Sequence, residues 1–355
     1  MKHHGSWPAR LVFSLTVLLA AVVSLPAPAT AQDRYSAFVM DARTNEVLFE
    51  DQADAVRYPA SLTKMMTLYM IFEALERGDI SLDTRLTASR NASRQPPSRL
   101  GLRRGDTITV DQAIRALVVQ SANDVATMVA ERLGGSEARF AANMTARARE
   151  LGMTETRFAN ASGLPDSRHR TTARDMATLS QALWRDFPEH YHVFQTPSFS
   201  WRRGSGRNHN RLLGQVEGVD GIKTGYTRAS GFNLATMAER NGRRVIVVVL
   251  GGESSVARDA QVAYLVEGAF EEYARRDGPN TATYASFPMR RLDMPYTPGG
   301  TVGSGTLTAG ADGRPLPPTS FVTADGQAVD VLAPPPVDAR SQGDQADASS
   351  GEDMR

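Results

Sequence analysis

Ser61 and Lys64 stand three residues apart in "PASLTKMMTLYM" (59–70), just behind Pro59. On a helix that spacing puts both side chains on one face, close enough to exchange a proton or a hydrogen bond. A helix start adds unsatisfied backbone N–H groups and the positive end of a dipole, which stabilise an alkoxide at Ser61 and favour a neutral amine at Lys64. A serine can be activated in this way without histidine. Arginine cannot play the part, because a guanidinium keeps its proton in proteins, whereas a desolvated lysine loses its own. Cation usage gives the point weight: of 40 Lys plus Arg residues, only Lys2, Lys64 and Lys223 are lysine.

The second internal lysine opens Lys223-Thr224-Gly225, within "VDGIKTGYT" (219–227). In a chain with 26 serines and three lysines, S-x-x-K arises by chance roughly 0.2 times and K-T-G on the order of 0.02 times, so the second signal is the sharper. The plain alternatives are a solvated lysine after a chance serine and a surface lysine at a strand end. A third element, Ser121-Ala122-Asn123, is weak by itself, since S-x-N recurs at Ser89-Arg90-Asn91. Residues 121–123 are preferred because they lie between two strongly patterned helices, where a loop presents side chains to a cleft.

The elements that must position these residues are legible from periodicity. "YSAFVMDARTNEVLFE" (35–50) reads as two strands around a polar loop at 41–45. Pro59 opens a helix that Met65, Leu68, Phe72 and Leu75 continue at helical spacing until Gly78. Residues 79–105 read as loop-rich, with Pro96-Pro97 in the middle. Thr109 and Gln112 form a capping-box pair at the start of a helix over "VDQAIRALVVQ" (110–120). "DVATMVAERL" (124–133) carries Val125, Met128, Val129 and Leu133 on one face and stops at Gly134-Gly135. Helical periodicity also fills 136–150 and 172–186. Beyond about 197 the character changes: "VDGIKTGYT", "GFNLATMAE" and "RRVIVVVLGG" read as strands, Asn241-Gly242 as a hairpin turn, and 256–276 as a closing helix. Strands at both ends with helices between them predict an α/β (α+β) fold: an antiparallel sheet whose ends meet, flanked by helices, with an inserted helical subdomain.

Composition bounds the function. With 355 residues and 41% apolar content the chain can bury a real core. Lys2 and Arg10, an apolar run from Leu11 to Leu25, and the small-x-small site Ala29-Thr30-Ala31 read as a secretory signal over 1–31. The run is about 15 residues, short of the roughly 20 that span a bilayer, so cleavage is expected before Gln32 rather than a retained anchor. Export puts the protein in a compartment where disulfides persist, yet it has no cysteine. That excludes a disulfide framework, a thiol nucleophile and Cys-ligated zinc. His190-x-His192 lacks a partner at ligand spacing and reads as a wet helix end, so neither metal nor cofactor is expected. A formal net charge of +1 points to neither nucleic acid nor a strongly acidic partner. Residues 277–355 hold ten of the 19 prolines and an acidic end. They read either as a flexible tail or as a small strand-rich module around "SFVTADGQAVDVL" (320–332), with Asp325-Gly326 as its turn. The expected organisation is therefore signal 1–31, catalytic domain 32–276 and tail 277–355.

In their order, "SLTK" (61–64), "SAN" (121–123) and "KTG" (223–225) resemble the three active-site motifs of penicillin-binding proteins and serine β-lactamases, a motif class with a known mechanical basis. The closer resemblance is to the low-molecular-mass D-alanyl-D-alanine carboxypeptidases, supported by "FANASGLPD" (158–166), "TTARDMA" (171–177) and "VVLGGESSVARDA" (248–260), and it covers about 33–276. The resemblance implies a β-lactamase/DD-peptidase-like fold and removal of the terminal D-alanine from a peptidoglycan stem peptide through an acyl-enzyme on Ser61. Lys64 would take the Ser61 proton. Ser121 would relay a proton to the leaving amine, while Asn123 holds the substrate amide. Lys223 and Thr224 would stabilise charge across the cleft, and Arg258 matches a position associated with the terminal carboxylate. The backbone N–H groups of Ser61 and Tyr226 would form the oxyanion hole, with Gly225 between the motif side chains and Tyr226. β-Lactam antibiotics would be covalent inhibitors, and the protein would be periplasmic.

The sequence departs from this pattern in two places. Many relatives carry histidine where this chain has Tyr226. The usual carboxypeptidase also continues into a β-rich second domain and an amphipathic anchoring helix, whereas 277–355 present no apolar face suited to a membrane, so no membrane anchor is evident and a truncated or replaced second domain is expected. Two competing functions share the motifs. A β-lactamase needs efficient deacylation, in the commonest class by a glutamate acting on water; Glu150 and Glu155 lie near the matching loop, but neither stands in an E-x-x-L-N arrangement. A non-catalytic penicillin-binding sensor or scaffold would need a signalling span, and none follows the signal peptide.

Overall fold

A computed structural model describes residues 34–202, 204–277, 289, 291, 320–322 and 328–330. The signal segment, most of the tail and the Asp325-Gly326 turn lie outside these residues. The chain opens with β1 (Ser36–Asp41) and β2 (Val47–Asp51), then enters a helical region: α1 (Thr63–Glu76), a small pair β3 (Arg85–Thr87) and β4 (Thr107–Thr109), α2 (Val110–Arg115), α3 (Asn123–Gly134), α4 (Glu137–Glu150), α5 (Ala173–Asp186) and the short α6 (Pro188–Tyr191). It returns through a hairpin, β5 (Ser198–Trp201) and β6 (Gly204–Arg207), to three long strands, β7 (Val219–Thr227), β8 (Gly231–Arg240) and β9 (Arg243–Gly252), and closes with α7 (Ser255–Asp277). In the tail, β10 (Ser320–Val322) and β11 (Ala328–Asp330) pair antiparallel.

The main sheet runs β2-β1-β9-β8-β7, antiparallel throughout. Pairing of β1 with β9 joins the first and last strands of the sheet in chain order, and the helical region between β2 and β7 is the insertion that strands at both ends with helices between them anticipated. Alternation in β9 explains the layering. Val245, Val247 and Val249 face α7 residues such as Val262 and Leu265, whereas Ile246, Val248 and Leu250 face the cluster that contains Phe72 of α1 and Leu179 of α5. A valine-rich strand buried on both faces is the physical result. At the turn between β8 and β9, Asn241 and Gly242 have φ of 48° and 75°, the doubly positive pair that a two-residue hairpin demands.

Two local readings need correction. Pro59 does not start the α-helix directly; it leads into a single 3₁₀ turn, Ala60–Leu62, and α1 begins at Thr63. The segment 79–105 is loop-rich as read, its one strand, Arg85–Thr87, pairing with Thr107–Thr109 and too short for a period-2 signal. α3 is not one-sided: residues 123–130 are all buried, since the helix packs against α1 and α4 at once. The Thr109–Gln112 capping box forms as anticipated. Beyond α2 the backbone widens into a π-turn over Ala116–Gln120 that ends at Ser121.

Candidate active site

Ser61 lies in the 3₁₀ turn at the head of α1, and the sheet fixes that turn. Asn233, fully buried on β8, donates from Nδ2 to the carbonyls of Tyr58 (2.9 Å) and Pro59 (3.1 Å) and accepts from the Gly251 amide (2.9 Å). Ala60 has a positive φ of 48°, a conformation an L residue holds only when its surroundings over-determine it. The surroundings include Gly163, where a Cβ would fall 1.8 Å from the Ala60 carbonyl oxygen. Loop 160–164 therefore presses on the nucleophile turn through bare backbone.

Lys64, one turn on, is completely buried. Its Nζ donates to Ser61 Oγ at 3.1 Å, Asn123 Oδ1 at 2.8 Å and the Ser162 carbonyl at 2.6 Å. Burial pushes its pKa well below the ordinary lysine value; Lys223 pushes it the same way and Asp124 opposes. Three oxygens and no direct carboxylate contact make a site for an amine that can be neutral.

The π-turn delivers Ser121 in the left-handed region, φ 54°, with its buried Oγ lacking a hydrogen-bond partner among the described residues. Widened helical turns recur where a side chain must be re-aimed. Asn123 follows, its amide Nδ2 bonded to the Pro96 carbonyl at 2.9 Å and its backbone N–H to Ser98 at 2.7 Å. The sequence reading missed what holds those carbonyls in place. Asp124, 1% exposed, accepts the amides of Leu100 (3.0 Å), Gly101 (2.9 Å), Leu102 (3.2 Å) and Val125 (3.0 Å). A buried carboxylate between a loop and a helix N-terminus was a signal in the sequence, since Asp directly follows the S-x-N element. The competing S-x-N is elsewhere: Ser89 and Asn91 both donate to Glu131.

Across the cleft, β7 is the last strand of the sheet and brings Lys223, Thr224, Gly225 and Tyr226 to the head of α1. Lys223 is buried, donates to the Thr224 carbonyl at 3.0 Å, and is pushed down to about 7 by burial and then by Arg258. Arg258 of α7 is 4% exposed, held by Asp259 (2.6 Å) and the Asn233 carbonyl (2.7 Å). Tyr226 is 56% exposed and stacks on its cross-strand neighbour Phe232 at 4.3 Å. The cleft has a volume of about 880 Å³; Ser61, Ser121, Asn123, Thr224, Tyr226 and Arg258 line it together. All nine residues singled out from the sequence thus converge here, seven on the wall and two lysines beneath it, for Gly225 lines it also.

Among the described residues no Asp or Glu lines this cleft. Glu150 is ion-paired with Arg147 on α4 and Glu155 is exposed, its amide bonded to Asp175. Nor do the described residues contain a cluster of three His, Asp or Glu able to hold a metal. His190 bonds Glu76 and stacks on Phe72, and His192 bonds the Glu189 carbonyl.

A serine at a helix head, a buried lysine bonded to it and a lysine-bearing strand opposite define a serine hydrolase. The chain belongs to the D-alanyl-D-alanine carboxypeptidase family, whose model matches residues 23–254. Among curated proteins it is similar to D-alanyl-D-alanine carboxypeptidase DacD of Salmonella typhimurium (34% identity, 72% of this chain and 68% of the relative) and to DacF of Bacillus subtilis (33%, 68% and 64%). Among solved structures it is similar to penicillin binding protein 5 of Haemophilus influenzae (TM-score 0.65, 31% identity, 70% and 72% covered). Another is penicillin-binding protein D2 of Listeria monocytogenes in its ampicillin-bound form (TM-score 0.57, 33% identity, 62% and 90% covered). The fold is accordingly of the DD-peptidase/β-lactamase type. The chain spans about two thirds of the length of these curated relatives.

Proposed function

We propose that the protein is a serine-type D-Ala-D-Ala carboxypeptidase that removes the terminal D-alanine from a peptidoglycan stem peptide. The observation that carries this reading is the fully buried Lys64, whose Nζ stands 3.1 Å from Ser61 Oγ. Lys64 in its neutral form takes the Ser61 proton as Oγ attacks the carbonyl between the two D-alanines. The tetrahedral oxyanion is held by the Ser61 and Tyr226 amides. The leaving amine receives its proton through Ser121, whose hydroxyl is otherwise unpartnered. Asn123 orients the substrate amide, and Lys223, Thr224 and Arg258 hold the terminal carboxylate, which restricts cleavage to the chain end. Water then hydrolyses the ester on Ser61.

β-Lactams enter the same sequence but are released slowly, since among the described residues no carboxylate lines the cleft to activate a deacylating water. This weighs against the β-lactamase reading. Export follows from the leader at 1–31, which makes the periplasm the place of action, with 32–276 as the catalytic unit and 277–355 an appendage. No helix among the described residues is long and apolar enough to cross a membrane. The test is release of D-alanine from a peptide ending in D-Ala-D-Ala together with the mass of a penicillin adduct on Ser61. Rapid penicillin hydrolysis without an adduct or D-alanine release would replace this reading with a β-lactamase.

A further inference from the structure

We propose that a cavity of about 510 Å³ beside the β5–β6 hairpin, next to the catalytic cleft, binds the N-acetylated sugar chain of a neighbouring peptidoglycan strand. The choice of polymer rests on the carboxypeptidase reading; the choice of a sugar rests on the cavity itself. Its volume lies within the roughly 300–1,000 Å³ of ordinary small-ligand sites. Trp201, the last residue of β5, supplies an aromatic wall and packs its inner side on the main core. Its cross-strand partner in the hairpin is Gly204, so no side chain stands opposite to cover the indole. Arg202, ion-paired with Asp106 at 2.9 Å, braces the ring from one side with its guanidinium 5.6 Å from the centroid. A flat indole at a wet surface suits a β-linked pyranose, whose axial C–H groups make an apolar face and whose rim is polar.

The polar lining completes the match. Ser98, Arg99, Gln120, Ser205 and His209 supply it, with no carboxylate among the described residues. Gln120, the last residue of the π-turn, runs along bare backbone of β6: a Cβ on Gly206 would lie 3.0 Å from Gln120 Cγ and Nε2. Its Nε2 donates to the Phe199 carbonyl at 3.3 Å, which fixes the amide and leaves Oε1 without a partner among the described residues. A fixed amide acceptor is what the N–H of an acetamido group needs. Arg99 bonds the Gln95 carbonyl at 2.9 Å and no carboxylate, so the lactyl carboxylate of a muramic acid that carries no stem can pair with it. The cavity opens into the catalytic cleft at Pro97, Ser98 and His209. His209 is within electrostatic reach of Lys223 and Arg258, the groups assigned to the terminal carboxylate, so the junction is at the chain end of a bound stem. The glycan that carries that stem lies at its other end. Sugar in the cavity therefore belongs to a second strand, and the site keeps the protein on assembled wall between cleavages.

The experiment measures, by calorimetry, binding of peptide-free glycan strands prepared by amidase treatment of peptidoglycan to the full-length protein. D-Alanine release from N-acetyl-L-Lys-D-Ala-D-Ala is followed in parallel. The glycan should bind, and Trp201→Ala should raise its Kd by at least about tenfold. Gly204→Leu should do the same with Trp201 still in place, by covering the indole. A Cβ on Gly204 meets only the Trp201 carbonyl oxygen, at an ordinary 3.5 Å, so the backbone accepts the change. Acylation of Ser61 by penicillin shows that each variant is folded. No glycan binding by the full-length protein, or an unaltered Kd in either variant, would overturn the site, and with D-alanine still released would leave the carboxypeptidase reading standing. Glycan binding that both variants lose, without D-alanine release from the peptide, would uphold the site and bring down that reading instead.

Discussion

Gly225 stands so close to Ser61 that a Cβ built on it would lie 3.0 Å from the Ser61 amide nitrogen and 3.1 Å from the Pro59 carbonyl oxygen. Both neighbours are backbone, and Asn233 pins the turn that carries them. Gly225→Ala should therefore displace β7 from the nucleophile by a few tenths of an ångström instead of being absorbed. If the oxyanion is shared between β7 and the head of α1, acylation by penicillin should fall by about 10²-fold with circular dichroism unchanged. An alanine variant that acylates at the normal rate would remove the oxyanion hole from its assigned place.

Two lysines in the site titrate in opposite senses as far as reaction is concerned. Lys64 must lose its proton to act as a base, and its pKa lies well below the ordinary value because of burial. Lys223 must keep its proton to hold a carboxylate, and burial brings it down to about 7. The second-order acylation rate reports the free protein. It should rise with pH as Lys64 deprotonates and decline above about pH 7 as Lys223 becomes neutral. A penicillin methyl ester, which offers Lys223 no carboxylate, should lack the alkaline decline; an identical decline for acid and ester would point to another group.

Asp124 joins a structural and an electrostatic role. Its carboxylate accepts four backbone amides and so holds the loop whose Pro96 and Ser98 carbonyls fix Asn123. It is also the negative charge that keeps the Lys64 pKa from falling further. Asp124→Asn leaves buried amides poorly satisfied and should cost about 2 kcal/mol of stability in urea unfolding. The same change should move the acid limb of the acylation profile to lower pH, a shift that loosened packing alone would not produce.

The sequence made the site more legible than the scaffold. Ser61, Lys64, Lys223 and Thr224 could be chosen because lysine is rare in this chain and its chemistry cannot be met by arginine. The continuous apolar run of β9 and the capping box of α2 are strong local signals. β3 and β4 do not, because three residues are too few to display alternation. The left-handed Ser121 was hidden as well, because a π-turn has no side-chain signature and shows only in the backbone of Ala116–Gln120. Asn233 was unreadable for a different reason, since it holds backbone groups 174 to 175 residues away, and Asp124, though its place after the S-x-N element was a signal, gave no sign of the amides it holds 22 to 24 residues away.

His169 ties acid stability to the nucleophile helix. It is buried, its Nε2 lies 2.9 Å from Thr63 Oγ1, and burial lowers its pKa to about 4. The unfolded chain titrates near 6.5 and so binds the proton first as pH falls. The stability contribution is complete above about pH 6.5 and is lost towards pH 4, a change of about 3 kcal/mol. Urea midpoints at pH 7 and pH 4.5 should differ accordingly, and His169→Gln should flatten that difference. An unchanged pH slope in the variant would assign the acid sensitivity to other groups.

If lysine stands at 64 because it can be neutral and at 223 because it is a compact positive charge, arginine should harm the two positions unequally. Lys64→Arg removes the proton acceptor. It also forces a guanidinium into a site closed by Ser61, Asn123 and Ser162 at 2.6 to 3.1 Å. Acylation of Ser61 by penicillin should fall by at least the roughly 10²- to 10⁴-fold typical of general-base loss. Lys223→Arg keeps the charge, and the neighbouring Arg258 shows that the cleft tolerates a guanidinium on that side, so its loss should be smaller. The comparison is the second-order acylation rate in each variant, with circular dichroism to confirm the fold. Near-normal acylation by Lys64→Arg would sink the neutral-lysine mechanism, and equal losses at both positions would leave steric fit as the sufficient reason for both lysines.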